Sequence, residues 1–237
     1  MNISSKDEGI VINKREYGEA DRLVTLFTKE HGKLVTIIKG IRKSKKREIA
    51  ATDIAVLSDI IFYERGDKLY ISSIESKRVF LNVTSDIFKI SLLFYIFKAL
   101  DIFIQEKQKN DRIYNMIIKF VEFLEREKER EKMAVSVLYL IFKMLQIEGF
   151  IYEISGSGNR LDMENFEFTE ENSINSIRLG ESEKKILEYL NKVDIEGINR
   201  LKLRVKDIVK VIEIFEKFIE NNTNEKLKIK FFLREDL

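Results

Sequence analysis

The chain has 237 residues, of which 44% are hydrophobic and 35% are charged, so it is long enough for more than one domain and polar enough to be well solvated. Its 42 basic and 40 acidic residues give a formal net charge of only +2. The chain contains no cysteine and a single histidine, which excludes disulfides and a cysteine nucleophile and argues against a zinc site of the usual composition.

The first third of the chain has the pattern of short β-strands. The runs rich in β-branched and aromatic residues are Gly9–Arg15, Arg22–Thr28, Leu34–Lys39, Ile54–Tyr63 and Leu69–Glu75. Gly18 and Gly32 lie in the first two connections, where glycine permits a tight turn. Several short strands joined in this way predict a small barrel or sandwich.

The pattern changes to that of helices near residue 84. Thr84-Ser85-Asp86 is predicted to cap a helix that runs to about Gln108 and is apolar on nearly all sides, as in a buried helix. Lys89, Lys98 and Asp101 interrupt that run, which argues against a membrane span. Further helices are predicted over Asp111–Lys128, Lys132–Glu148, Ser182–Lys192 and Val205–Asn221. Residues 150–180 are polar and predicted to be irregular, with one short strand in Asn165–Thr169.

Signals for catalysis are weak. The chain has no phosphate-binding Walker motif, and Gly156-Ser157-Gly158 lacks the third glycine of a dinucleotide loop. His31 lies in a predicted loop without a nucleophile beside it, which is typical of a surface residue. A Mg²⁺-dependent nuclease remains an alternative, because Asp and Glu ligands leave little trace in a sequence.

The clearest functional signal is a basic segment, residues 39–47, which carries six cations and no acid. Its cations are Lys39, Arg42, Lys43, Lys45, Lys46 and Arg47. The segment lies between predicted strands, in a region with 16 basic and 12 acidic residues over positions 1–80. Tyr17 is predicted to be an exposed stacking residue, whereas Phe27, Phe62, Tyr63 and Tyr70 are mostly expected in the core. A basic groove with stacking rings predicts binding of nucleic acid.

Residues 8–47 resemble the start of the RecO family of bacterial recombination mediators. The matching residues are Tyr17-Gly18-Glu19, Asp21-Arg22, Leu26-Phe27-Thr28, His31-Gly32-Lys33 and Lys39-Gly40-Ile41-Arg42-Lys43. The resemblance implies an α+β fold. An N-terminal OB-fold β-barrel over residues 1–80 would be followed by a mainly α-helical domain over residues 81–237, with a small irregular insert at about 150–180.

One feature departs from the family. Many members carry a four-cysteine zinc knuckle in this insert, whereas the corresponding stretch here, Ile154–Arg160, has no cysteine. We therefore expect no metal, and we expect the insert to be held by packing of Phe166 and Phe168 or to be mobile.

The resemblance implies a non-enzymatic protein of the bacterial cytoplasm and nucleoid that needs no cofactor and no membrane. Such a protein binds single- and double-stranded DNA, anneals complementary strands and acts with RecR to load RecA onto DNA coated with single-stranded DNA-binding protein. The family also docks the acidic C-terminal tail of that coating protein on the helical domain. Arg112, Lys119 and Arg126 recur every seven residues, hence on one helix face, and are the expected rim of that site.

Three other functions remain open at this point. An RNA-binding OB-fold module would use the same basic segment and aromatic residues. A metal-dependent nuclease would use scattered carboxylates. A protein-interaction scaffold would use the helical domain alone.

Overall fold

The structure, a computed structural model, describes residues 4–44, 48–193, 197 and 203–229. The chain divides into two compact units, one of residues 1–90 and 104–126 and the other of residues 91–103 and 127–237. The expected fold class, an OB-like β-barrel followed by a helical region, is confirmed. The domain boundary at residue 80 stays a prediction. No helix in the described ranges is long and apolar enough to cross a bilayer.

The first unit contains a closed five-stranded barrel. Its strands are β1 Ser4–Tyr17, β2 Asp21–Thr28, β3 Gly32–Ile38, β4 Val56–Arg65 and β5 Lys68–Val79. They follow the order β1-β2-β3-β5-β4, and only the β3–β5 pair is parallel. All five expected strands are present; β1 and β5 extend further than the sequence predicted, and β4 begins and ends two residues later.

The barrel forms because each strand places branched and aromatic side chains on its inner face. The inward residues are fully or almost fully buried, and they include Val11, Val24, Leu26, Leu34, Ile38, Ile60, Phe62, Ile71 and Ile74. Burial of this apolar surface is the main favourable term in the folding free energy. The parallel pairing of Thr36 with Leu69 and of Ile37 with Tyr70 closes the barrel.

Two helices follow the barrel, α1 Leu81–Ser85 and α2 Ile87–Phe103. The expected cap is present, because Asp86 Oδ1 accepts the backbone N–H groups of Phe88 at 2.8 Å and Lys89 at 3.2 Å. The expected helix end near Gln108 is wrong. The Lys107 N–H donates instead to the Lys33 carbonyl of β3 at 2.9 Å, and Lys107 has a left-handed φ of 61°, so the chain runs beside the barrel there.

A further helix, α3 Asp111–Arg126, packs against the barrel within the first unit. The Tyr114 hydroxyl donates to Glu8 Oε1 at 2.9 Å, and its ring lies 5.9 Å from that of Phe27. Arg78 of β5 forms an ion pair with Glu122 of α3. These contacts join the helix to three strands of the barrel.

In the part of the second unit that the structure describes, helices α4 to α6 accompany a small sheet. The helices are α4 Arg130–Ile147, α5 Glu181–Lys192 and α6 Val205–Thr223. The strands are β6 Arg160–Asp162, β7 Glu167–Thr169 and β8 Ser176–Arg178. The expectation of an irregular insert is corrected here, because these strands pair in the order β7-β6-β8. The expected strand near residue 167 is one of the three.

The insert is held by an aromatic contact. Phe166 is fully buried, and its ring centroid lies 5.4 Å from that of Phe215 and 4.7 Å from that of Phe218. Phe142 also stacks on Phe215, with ring centroids 6.0 Å apart. Of the two expectations for the insert, packing of aromatic side chains is therefore the one observed. Phe166 is its central side chain, and Phe168 of β7 is also buried.

Candidate nucleic-acid interface

Three tyrosines lie beside the two loops that flank the binding face of OB folds. Tyr17 ends β1 at the β1–β2 turn and is 38% exposed, as expected from the sequence. Tyr63 and Tyr70 lie in β4 and β5, on either side of the turn at residues 66–67. In OB folds the loops between strands 1 and 2 and between strands 4 and 5 contact bound oligonucleotides.

Tyr63 and Tyr70 form a stacked pair. They are direct partners in the β4–β5 ladder, their ring centroids are 5.7 Å apart and both residues are partly exposed. Their neighbours Phe62 and Leu69 are buried in the barrel, so strand alternation places the tyrosines on the outer face. Sequence reasoning favoured the core for these tyrosines and missed this pair, although the alternation carried the signal.

Lys39, at the start of the basic segment, is tied to the beginning of β2. Its Nζ donates to Asp21 Oδ2 at 2.7 Å, and the Gly40 N–H donates to Asp21 Oδ1 at 2.8 Å. The hydrogen bond from Lys39 holds the pKa of Asp21 below its usual value, and the same contact raises the pKa of Lys39. Asp21 pairs with Tyr17 in the β1–β2 ladder, and Tyr70 pairs with Ile37, two residues before Lys39, which places this cation near both tyrosines.

The next two cations are also paired with the β1–β2 turn. Arg42 forms an ion pair with Glu16, and its Nη1 donates to the Gly18 carbonyl at 3.3 Å and the Glu19 carbonyl at 3.2 Å. Lys43 Nζ lies 3.4 Å from Glu19 Oε2. A short 3₁₀ turn over Ile41–Lys43 holds both side chains beside this loop. Three of the predicted DNA-binding cations are thus brought together with Tyr17.

These ion pairs change the electrostatics expected from the sequence. The basic segment contains no acid, but Glu16, Glu19 and Asp21 approach it from positions about 20 residues earlier in the chain. Exposed pairs of this kind stabilise the fold by no more than about 1 kcal/mol each, so a phosphate can replace the carboxylate. Lys45, Lys46 and Arg47 lie outside the described residues, and their role stays a prediction.

The three cations expected to bind an acidic tail lie on α3. Arg112, Lys119 and Arg126 are all exposed, and none has an ion-pair partner in the part of the chain that the structure describes. The helix belongs to the unit that contains the barrel, whereas the sequence analysis placed the site on a separate helical domain. The three side chains lie on one face of α3, because a spacing of seven residues is close to two helical turns.

The other candidates for chemistry in the sequence are His31 and the glycines at 156 and 158. His31 bonds to Asp7 and packs edge-on against Phe62, with ring centroids 5.0 Å apart. Gly156 and Gly158 closely approach the backbone of β7, so a side chain at either position would collide with it. Among residues 4–44, 48–193, 197 and 203–229, no cluster of three or more His, Asp or Glu side chains could hold a metal ion.

Strand order, loop placement and surface residues together define an OB-fold protein with a basic, tyrosine-bearing face. The family model described as "Recombination protein O N terminal" matches residues 1–80. Residues 1–80 are therefore similar to the N-terminal part of that family, and the resemblance to RecO expected from residues 8–47 is confirmed.

Similarity to curated proteins extends beyond the barrel. A protein of Alkaliphilus metalliredigens is 31% identical over 124 residues, which cover 52% of this chain and 50% of that protein. One from Thermoanaerobacter sp. is 35% identical over 109 residues, covering 46% and 44% of the two chains. These matches span about half of the relatives' length. A protein of Clostridium novyi is 24% identical over 237 residues, covering 94% and 91%. All three carry the name DNA repair protein RecO.

Proposed function

We propose that this protein binds DNA through the basic, tyrosine-bearing face of its barrel and acts in DNA repair as a recombination mediator. The observation that carries the proposal is the position of Tyr17, Lys39 and the Tyr63–Tyr70 pair beside the two OB-fold loops. The name DNA repair protein RecO, shared by its relatives, supports the same role.

The proposed mode of binding combines phosphate contacts with stacking. Lys39, Arg42 and Lys43 exchange their carboxylate partners for phosphates, and single-strand bases stack on the tyrosines. Each neutralised phosphate contributes about −0.7 to the slope of log K against log salt for a single strand, so four to six engaged cations give about −3 to −4. Binding is largely independent of base sequence, because phosphates carry no base information.

The proposed activity is annealing. A protein that holds two strands, or a strand and a duplex, shields their mutual repulsion and lets complementary bases meet. In this proposal the protein works with RecR to load RecA onto coated DNA. The acidic tail of single-stranded DNA-binding protein docks on the α3 face of Arg112, Lys119 and Arg126. The protein acts as a binder, without catalysis or a cofactor.

The test is annealing of two complementary, fluorescently labelled strands, first bare and then coated with single-stranded DNA-binding protein. We expect acceleration on both substrates, and we expect it to fade as salt rises. No acceleration on either substrate contradicts the proposed activity. Tighter binding of a structured RNA than of single-stranded DNA at matched salt favours the RNA-binding alternative.

Variants test whether DNA binding depends on the basic segment or only on the total positive charge of the protein. Replacing Lys43, Lys45 and Lys46 by Ala is expected to weaken DNA binding and flatten the salt slope by about 2, with the fold retained. The matched control replaces three exposed lysines of the second unit, Lys185, Lys206 and Lys210. Equal affinity of the first triple variant and the wild type contradicts the role of the segment.

A further inference from the structure

A cavity of about 370 Å³ opens at one mouth of the barrel within the first unit. Its apolar lining comes from Leu34, Phe62 and Leu69, which are also residues of the barrel core. Barrel mouths are common sites for small ligands, and this volume falls in the usual range for such sites of about 300 to 1,000 Å³. The cavity is therefore large enough for a flat heterocycle.

The polar group best defined in this cavity is His31. Its Nδ1 lies 2.7 Å from Oδ2 of Asp7, whose side chain is 1% exposed. The same carboxylate accepts the backbone N–H groups of Glu8, Glu30 and His31 at 2.7 to 3.1 Å. Because a carboxylate that receives these donors acts as an acceptor, Nδ1 carries a hydrogen, and in the neutral form of the ring Nε2 is then a hydrogen-bond acceptor.

His31 is held in place but keeps one nitrogen available. Its ring packs edge-on against Phe62 at 5.0 Å, and its side chain is 39% exposed. Nε2 makes no hydrogen bond to any residue in the described ranges. The contact with Asp7 fixes the ring orientation, so the free acceptor is preorganised for a ligand.

The cavity continues directly from the proposed DNA-binding face. Tyr63 lines it and stacks on Tyr70, which in turn lies close to Lys39. A strand held on the tyrosine pair therefore passes the cavity mouth. We propose that the cavity receives one unstacked base of that strand and favours a base with an exocyclic amino group, such as cytosine. This inference rests on the proposed function.

Two glutamates at the rim of the cavity account for the preference for a base with an amino group. Glu30 and Glu64 line the cavity, and each carboxylate lies within 2.8 Å of a lysine Nζ, that of Lys109 or Lys107. Both carboxylates keep oxygen lone pairs that can accept from an amino group, and Nε2 of the neutral His31 ring can do the same. Cytosine presents an amino donor where thymine presents a carbonyl oxygen and a methyl group.

The first test uses the wild-type protein and its single histidine. Because the chain has one His, the ring protons of His31 give a unique NMR signal. Titration with deoxycytidine, which has no phosphate, is expected to shift this signal in a saturable manner. An equal concentration of thymidine is expected to shift it less, and deoxyribose not at all. No shift with deoxycytidine overturns the assignment of the cavity.

The second test compares oligo-dC with oligo-dT of about 15 nucleotides, the upper range of single-strand site sizes for one OB fold. One added hydrogen bond predicts that the wild type binds oligo-dC about 3- to 10-fold more tightly. His31→Phe keeps a ring against Phe62 but lacks Nε2, so the preference is expected to disappear while the oligo-dT affinity is retained. The matched control is Tyr152→Phe, an exposed ring of the second unit.

The outcomes distinguish a failure of the base cavity from a failure of the proposed DNA-binding face. Equal affinity of the wild type for both oligomers, or a retained preference in His31→Phe, overturns the base cavity and leaves the proposed function intact. Failure of the wild type to bind either oligomer contradicts the proposed function, and the NMR titration then decides whether the cavity still takes a nucleoside.

Discussion

Tyr63 and Tyr70 face each other across the β4–β5 hairpin, with ring centroids 5.7 Å apart and ring planes 21° from parallel. Base stacking on an aromatic side chain contributes about 1 to 3 kcal/mol per base. We therefore expect Tyr70→Ala to lower the affinity for single-stranded DNA by about tenfold, with little change in the salt slope. Fluorescence anisotropy with a labelled oligonucleotide at several salt concentrations measures both quantities.

The control for this variant is Tyr152→Ala, because Tyr152 is 88% exposed and belongs to the second unit. It is expected to bind like the wild type. An unchanged affinity of Tyr70→Ala contradicts stacking on the pair, whereas an equal loss in both variants points to a general effect on the protein.

The carboxylates of the β1–β2 turn compete with DNA for the basic segment. Glu16 is paired with Arg42, and Glu19 with Lys43. An exposed ion pair contributes about 0.2 to 1 kcal/mol, so Glu19→Gln is expected to raise DNA affinity by about two- to fivefold. Titration at low salt measures the gain. Glu164→Gln, an exposed acid of the second unit, is the charge-matched control.

A loss of affinity in Glu19→Gln has a different meaning. It indicates that the ion pair with Lys43 positions the loop for DNA, and it contradicts the competition between carboxylate and phosphate.

Glu8 makes the stability of the first unit depend on pH. Burial alone raises the pKa of Glu8, but hydrogen bonds from Lys77 and Tyr114 outweigh it and lower the pKa below its ordinary value of 4.5. A carboxyl group with a lowered pKa stabilises the fold above its unfolded pKa, and this contribution is lost as the pH falls through the folded value.

Glu8→Gln is therefore expected to lower the free energy of unfolding by about 1 kcal/mol at neutral pH, a figure reduced for partial exposure. The difference from the wild type is expected to shrink below pH 4.5, the ordinary pKa of a glutamate side chain. Urea unfolding across the acid range measures it. A difference that is constant with pH shows that the variant acts through packing instead.

Phe166 anchors the insert, so Phe166→Ala is expected to destabilise the second unit by about 3 to 5 kcal/mol. The change leaves a cavity between Phe215 and Phe218 and releases β6 to β8. Limited proteolysis should then cut within residues 150–180 much faster than in the wild type. Phe94→Ala, at a Phe that is 43% exposed, is the matched control, and equal cutting of both variants contradicts the anchor.

Local patterns were sufficient for most of the fold. Runs rich in β-branched and aromatic residues marked all five barrel strands, and the cap predicted in Thr84-Ser85-Asp86 is present at Asp86. The end of α2 was not visible, because the contact between Lys107 and Lys33 joins residues far apart in the chain. In the insert the sequence predicted β7 but not β6 and β8, because strands of three residues are too short for a clear periodic pattern.

The candidate site was only partly accessible to such reasoning. The basic segment and Tyr17 are local features, and both were identified. The pairing of Arg42 with Glu16 depends on the alignment of β1, β2 and β3, and the position of Tyr70 beside β3 depends on barrel closure. The composition of the basic segment therefore suggested more unpaired positive charge, and fewer nearby aromatic side chains, than the structure shows.

The division of the chain also affects its synthesis. Residues 91–103 belong to the second unit but precede α3, which completes the first unit. In the finished protein Leu92, Leu93 and Ile96 are fully buried. During translation these side chains leave the ribosome before most of their own unit has been made. The nascent chain therefore exposes an apolar helix for an interval set by elongation, which is a hazard for aggregation and a reason to engage a chaperone.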